Sequence, residues 1–141
     1  MLLPITTATA SLLGIVFVLL SIAVSGERGK AKIGLGVGTD AAAPLGQEHS
    51  ASPLLVAVRR HGHFAEFVPL SLVLMALLEL ARTSRYTLIG LAAALIVSRL
   101  MIIIGIGRDA PNLMRAGGNV LQQLMILTAC VIGLFAVFSG A

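Results

Sequence analysis

A few polar residues stand inside otherwise apolar stretches, and their spacing is regular. Arg59, His63 and Glu66 are related by i, i+4 and i+7, which places all three on one face of a helix. Phe67, four residues after His63, borders that face. Arg115, Asn119 and Gln122 form a second stripe of the same kind, and Arg99 lies alone in a third apolar stretch. A charge there costs several kcal/mol or more unless it is paired, so Glu66 and Arg99 are the informative residues. Glu66 is six residues beyond Arg60, about 9 Å deeper along a helix, and Arg99 is nine residues before Arg108, about 13 Å from the same side. If their helices run antiparallel, the two depths nearly coincide, and an ion pair or a shared polar cavity is geometrically reasonable. Two polar stripes and one arginine opening toward one membrane surface describe a cationic pocket holding one carboxylate. That chemistry suits an anionic ligand bearing an ammonium group, such as a small peptide.

Each element also has a plainer reading. Arg59 and Arg60 can be interfacial anchors that snorkel. Asn119, Gln122 and Gln123 can be glue between helices. Glu66 with Arg99 can be a structural ion pair. Glu79 and Arg82, at i and i+3, read as a surface pair, and His61 as facing lipid headgroups. The one-sided clustering favours a site. Cys130, the single cysteine, excludes an intramolecular disulfide and reads as a small lipid- or helix-facing hydrophobe. No metal-ligand pattern stands out.

The elements that must position these residues follow from the distribution of charge. Of the 141 residues, 57% are hydrophobic and only 11% charged, where a soluble domain has about a quarter charged. Predominantly apolar runs cover about residues 3–25, 53–81, 86–107 and 113–138, with a polar loop over 26–52. Each run meets the roughly 20 residues that a spanning helix needs. Strands are excluded, because an open sheet cannot satisfy its backbone in lipid and the runs far exceed barrel segments. The fold expected is therefore all-α, an integral membrane four-helix bundle in a single transmembrane domain. Ser52-Pro53 reads as an N-cap followed by proline at the first helical position. Pro69 removes one backbone donor inside its helix and predicts a kink there. The short turn Arg82–Arg85 implies antiparallel neighbours, and a second polar turn, Arg108–Asn112, leads into the fourth run. The first run lacks a basic segment ahead of it and reads as a retained helix rather than a cleaved signal. Gly34-Leu-Gly-Val-Gly-Thr-Asp40 lacks the strand and the Lys-Ser/Thr of a phosphate loop and reads as surface loop.

The net charge of +4 sits at the ends of the apolar runs, which fits lipid headgroups. No aromatic-rich basic patch is present, so nucleic acid is not an expected partner. The excess of Lys and Arg in the first and third loops puts those loops in the cytoplasm.

Residues 59–70, Arg-Arg-His-Gly-His-Phe-Ala-Glu-Phe-Val-Pro-Leu, resemble the signature of the membrane-associated proteins in eicosanoid and glutathione metabolism, the MAPEG family, in its bacterial branch. That signature is an arginine, a nearby asparagine, a glutamate three further on, an aromatic and then a proline. Arg99 matches the arginine of the third helix and Arg115 the basic residue opening the fourth. Helix count, loop lengths and chain size agree, so the resemblance covers essentially the whole chain. It implies a homotrimer in a bacterial inner membrane, in contact with membrane lipids. It also implies glutathione as co-substrate, bound between neighbouring subunits near the cytoplasmic face. Residues matching Arg59, Glu66 and Arg99 would hold its carboxylates and amine, with His63 and Phe67 beside them and Arg28 or Lys30 from the end of the first helix. Arg115 would stabilise the thiolate, since a neighbouring cation lowers a thiol's pKa and the thiolate is the nucleophile. The reaction would be glutathione conjugation to a small lipophilic electrophile, or hydroperoxide reduction. The chain departs from the family pattern with His63 for the usual asparagine, Phe67 for the common tyrosine, and Ile102 and Ile106 where eicosanoid-pathway members carry tyrosine or histidine. Those departures turn the reading away from eicosanoid synthesis. Two alternatives stay open: a non-catalytic binder of glutathione or lipid, and a small proton-coupled exporter using Glu66, whose lipophilic cation the nearby arginines would repel.

Overall fold

The computed structural model describes residues 3–38 and 42–139; Asp40 and the end of the glycine-rich stretch lie outside them. Four helices carry the fold: α1 (Pro4–Ala31), α2 (Pro53–Leu80), α3 (Arg85–Gly105) and α4 (Leu113–Ser139), with a short 3-10 turn at Glu48–Ser50. All four are long and apolar enough to cross a membrane. The protein is an all-α membrane four-helix bundle. α3 packs most extensively on α4 and α1 on α2, while α2 also touches both α3 and α4.

Each helix end has an identifiable cause. The polar stretch expected as loop from residue 26 is helical to Ala31, so the loop begins at Lys32. Arg28 and Lys30 sit in the last turn of α1, where cations meet the negative end of the helix dipole. Lys30 also bonds Glu27 at 2.6 Å. Lys32 closes the helix in the left-handed conformation, φ 55°, its N–H donating to the carbonyls of Arg28 and Gly29. α2 starts as its sequence dictates: Ser52 Oγ accepts from the Leu55 N–H at 3.2 Å, and Pro53 follows. The helix is continuous through Pro69.

Asn112 joins α3 to α4. Its Oδ1 accepts from the N–H groups of Met114 (3.0 Å) and Arg115 (3.3 Å), and its Nδ2 donates to Gly105 O (3.0 Å). Arg60 reaches from α2 to donate to Ile106 O at 2.9 Å. These contacts satisfy terminal groups that a helix cannot pair internally. The two helices also approach closely. A Cβ added at Gly105 would lie 2.5 Å from Arg115 N, and one at Gly118 would lie 3.0 Å from Ser98 O.

Glu79 does not pair with Arg82 as its spacing suggested. Its two carboxylate oxygens accept from the N–H groups of Ile5 (2.9 Å) and Thr6 (2.8 Å), capping the start of α1. Antiparallel packing of α1 on α2 brings the carboxylate to backbone donors that have no helical partner, and these hold it better than an exposed arginine. The core is apolar, with Leu13, Phe64, Met75, Leu95 and Met125 all buried. Outward faces carry Ile15, Leu19 and Ile22 on α1 and Val131 and Phe135 on α4, all exposed, as a lipid-facing surface requires.

Candidate functional site

α2, α3 and α4 converge on Arg99. Its side chain is only 2% exposed. Nη1 lies 3.2 Å from His63 Nδ1 and 3.4 Å from the His63 carbonyl. Among the described residues, Nε and Nη2 are buried with no hydrogen-bond partner. The guanidinium carbon stands 5.7 Å from the centre of the Phe67 ring, and that ring stacks on His63 with centroids 4.7 Å apart. His63 Nε2 in turn lies 3.1 Å from Asn119 Oδ1 on α4. The i, i+4 spacing of His63 and Phe67 puts both rings under Arg99, and Phe67 adds a cation–π contact.

Directly beneath, a second polar network ties the three helices together. Gln122, 1% exposed, accepts from Ser98 Oγ at 2.9 Å and donates to Ser71 Oγ at 2.8 Å. Both hydroxyls also reach a carbonyl of their own helix, Leu95 O at 2.7 Å and Phe67 O at 2.9 Å. Gln122 is thus an interhelical tie, while Asn119, one turn nearer the loops, belongs to the Arg99 cluster.

The other expected site residues are placed differently. Arg59 and Glu66 are exposed on the outside of α2. No ion pair joins Glu66 to Arg99 among the described residues, because His63 and Phe67 occupy the inner side of the same helical face and shield the guanidinium. Arg28 donates to Gly36 O at 2.9 Å and folds the loop back on α1, and Lys30 is engaged with Glu27. Among the described residues, neither bonds to the Arg99 cluster. Arg115 begins α4, half-exposed, its Nη1 3.9 Å from Glu48 Oε1. Ile102 is buried in the bundle. Among the described residues no group of three or more His, Cys, Asp or Glu is placed to hold a metal ion.

That contact of Glu48 belongs to a clasp between the first and third loops, which no local signal in the sequence announces. The His49 N–H donates to Asp109 Oδ1 at 2.8 Å, and the His49 ring nitrogen Nδ1 lies 2.8 Å from Asp109 Oδ2. The Ala110 N–H donates to Glu48 Oε2 at 3.1 Å. The backbone N–H of His49, then its ring, hold the Asp109 carboxyl below its usual range. The N–H of Ala110 does the same to Glu48, with Arg115 adding a weaker pull. The clasp spans the loop end of the bundle and carries Arg115 at its edge.

No curated protein and no solved structure matches the chain. One family model, described as the MAPEG family, matches residues 6–135. That match takes in α2 and α3 entire, most of α1 and α4, and with them the arginine-to-proline segment of α2, Arg99 and Arg115. The chain belongs to the MAPEG family, the membrane-associated proteins in eicosanoid and glutathione metabolism.

Proposed function

We propose that this protein is a glutathione-dependent transferase or peroxidase for small lipophilic electrophiles, working as a homotrimer in a bacterial inner membrane with its first and third loops in the cytoplasm. One observation carries the reading: Arg99 is buried with two guanidinium nitrogens unpartnered. A buried cation without a counter-anion is strongly unfavourable, and Glu66 does not supply one. A ligand carboxylate does. Arg99 lies six residues before Gly105, which packs against the backbone of Arg115, so the levels of the two arginines differ by about 9 Å along α3. An extended three-residue peptide spans at most about 10–11 Å, so a tripeptide held at Arg99 can present its thiol toward Arg115. There the cation favours the thiolate. The sulfur then attacks an electrophilic carbon, forming the C–S bond as the leaving group takes its electron pair.

Arg59 and Glu66 support the trimer. Left on the outer face of α2, they would face lipid at a cost of several kcal/mol. A neighbouring subunit covering that face, bringing its Arg28 or Lys30, would turn them inward toward the ligand.

Glutathione binding to the detergent-purified protein tests this, beside Arg99→Ala and Glu66→Gln, followed by thiolate absorbance near neutral pH. Saturable binding lost in both variants, with a thiolate signal sensitive to Arg115→Ala, is the expected result. Binding without a thiolate signal would instead support a non-catalytic binder, a reading favoured by the engagement of Arg115 with Glu48. No binding at millimolar glutathione refutes both, and proton-coupled efflux lost in Glu66→Gln would then support an exporter.

A further inference from the structure

The Arg99 cluster contains a hydrogen-bond sequence whose direction is forced. Arg99 has donors only. The His63 nitrogen facing its Nη1, Nδ1 at 3.2 Å, must therefore accept and carry no proton. A neutral imidazole then holds its single proton on Nε2. The group facing Nε2 at 3.1 Å must in turn accept, as Asn119 Oδ1 does. An imidazolium or the opposite tautomer would set an N–H against the N–H of Arg99. Both ring nitrogens of His63 are occupied in this arrangement, so the ring is not free to grip a ligand. What remains unpartnered among the described residues is on Arg99, namely its buried Nε and Nη2.

We propose that Asn119 is a positioning residue: by accepting from His63 Nε2 it holds the imidazole in the tautomer whose Nδ1 receives Arg99 Nη1, leaving Arg99 Nε and Nη2 aimed at a ligand carboxylate. The proposal deepens the functional reading above and rests on it for the identity of the ligand. It assigns α4 a part in the carboxylate subsite through two intermediates, without contact to the peptide. It also gives a reason for histidine at this place on α2. The ring is long enough to bridge α3 and α4, and Phe67 stacks against it to fix its plane. The groups facing the ring are Arg99 from α3, Asn119 from α4, and Glu66 and Phe67 from its own helix, Glu66 acting through its charge.

The tautomer is read directly from the ring carbon and nitrogen shifts of histidine-labelled protein, with His63 assigned by its loss in His63→Asn. The wild type is expected to show the Nε2–H form. Asn119→Leu, which removes the acceptor at similar size, leaves the Nε2–H without a partner, so the ring is expected to turn out of the Arg99 contact that selects this tautomer, lose that form and weaken glutathione binding on the order of five-fold, the effect of one hydrogen bond. In a His63→Asn background the same substitution is expected to change binding little, because the bridge it acts through is gone. A wild-type ring that is protonated or carries its proton on Nδ1 overturns the proposal. So does an Asn119→Leu effect that persists undiminished without His63, since a merely structural role would do that. If the wild type binds no glutathione, the proposed function falls, and the tautomer decides the positioning role by itself: Nε2–H lost in Asn119→Leu supports it, and an unchanged ring overturns it.

Discussion

Replacing Gly105 by alanine probes the closest approach of α3 and α4. The added Cβ would lie 2.5 Å from Arg115 N, 2.8 Å from its Cα and 2.9 Å from its Cβ. Ordinary carbon contacts are about 3.5–4.0 Å. Two of the three atoms are backbone, so no rotamer change relieves the clash, and the helices must separate by about 1 Å. Overpacking of this kind costs about 1–3 kcal/mol. Alanine for glycine inside a helix is by itself favourable by about 0.5–1 kcal/mol. At Gly90, in the same helix, and at Gly14 in α1, an added Cβ would meet nothing within 4 Å, so alanine there gains the propensity without the clash. The difference between Gly105→Ala and Gly90→Ala isolates the packing effect. Reversible unfolding in mixed detergent micelles, followed by circular dichroism, is expected to put Gly105→Ala below Gly90→Ala by about 1–3 kcal/mol. Equal stability of the two would refute the argument that the glycine is there to admit the backbone of α4.

Gln122→Leu is expected to cost only about 1 kcal/mol in the same assay, because two hydrogen bonds within a membrane are worth about 0.6 kcal/mol each and both serines keep a carbonyl acceptor in their own helix. Gln122→Ala, which also leaves a void, is expected to cost about 2 kcal/mol or more. Glu79→Ala removes both acceptors from the start of α1; at about 1 kcal/mol for a cap, exchange of the Ile5 and Thr6 amides should quicken about five-fold. The loop clasp is expected to weaken in acid. Asp109 and Glu48 are held below their ordinary carboxylate values in the folded protein, so their contribution is complete above those ordinary values and is lost as pH falls through the lowered ones. Amide exchange at His49 and Ala110, compared near neutrality and at about pH 3 after correction for intrinsic rates, checks this, and equal protection at both would contradict it.

Much of the architecture was legible in the residues alone. Four predominantly apolar runs long enough to span a bilayer admit one backbone solution, because lipid offers no hydrogen bonds to an open sheet. Ser52 and Pro53 mark the start of α2, since a hydroxyl acceptor and a residue without an N–H suit the same helix end. Helical spacing likewise put Arg59, His63 and Glu66 on one face, and Arg115, Asn119 and Gln122 on another.

Which side chain meets which was decided by the tertiary structure. Spacing fixes a face on one helix but not the rotation of that helix against its neighbours, and a turn of one residue's width exchanges a buried partner for an exposed one. That is why Arg99 meets His63 and Phe67 while Glu66, three residues after His63, lies outside. Glu79 shows the same limit. Its sequence neighbour Arg82 was the local candidate, and its actual partners are backbone groups more than seventy residues away. The end of α1 was ambiguous for another reason: Glu27, Arg28 and Lys30 are compatible with a solvated loop and with a last helical turn, and only the left-handed cap at Lys32 distinguishes them. The clasp of His49 on Asp109 joins two loops through single side chains, which leaves no periodic trace in the chain. The membrane imposes the helices through the hydropathy of each run, and the packing of those helices then selects the partners of their few polar groups.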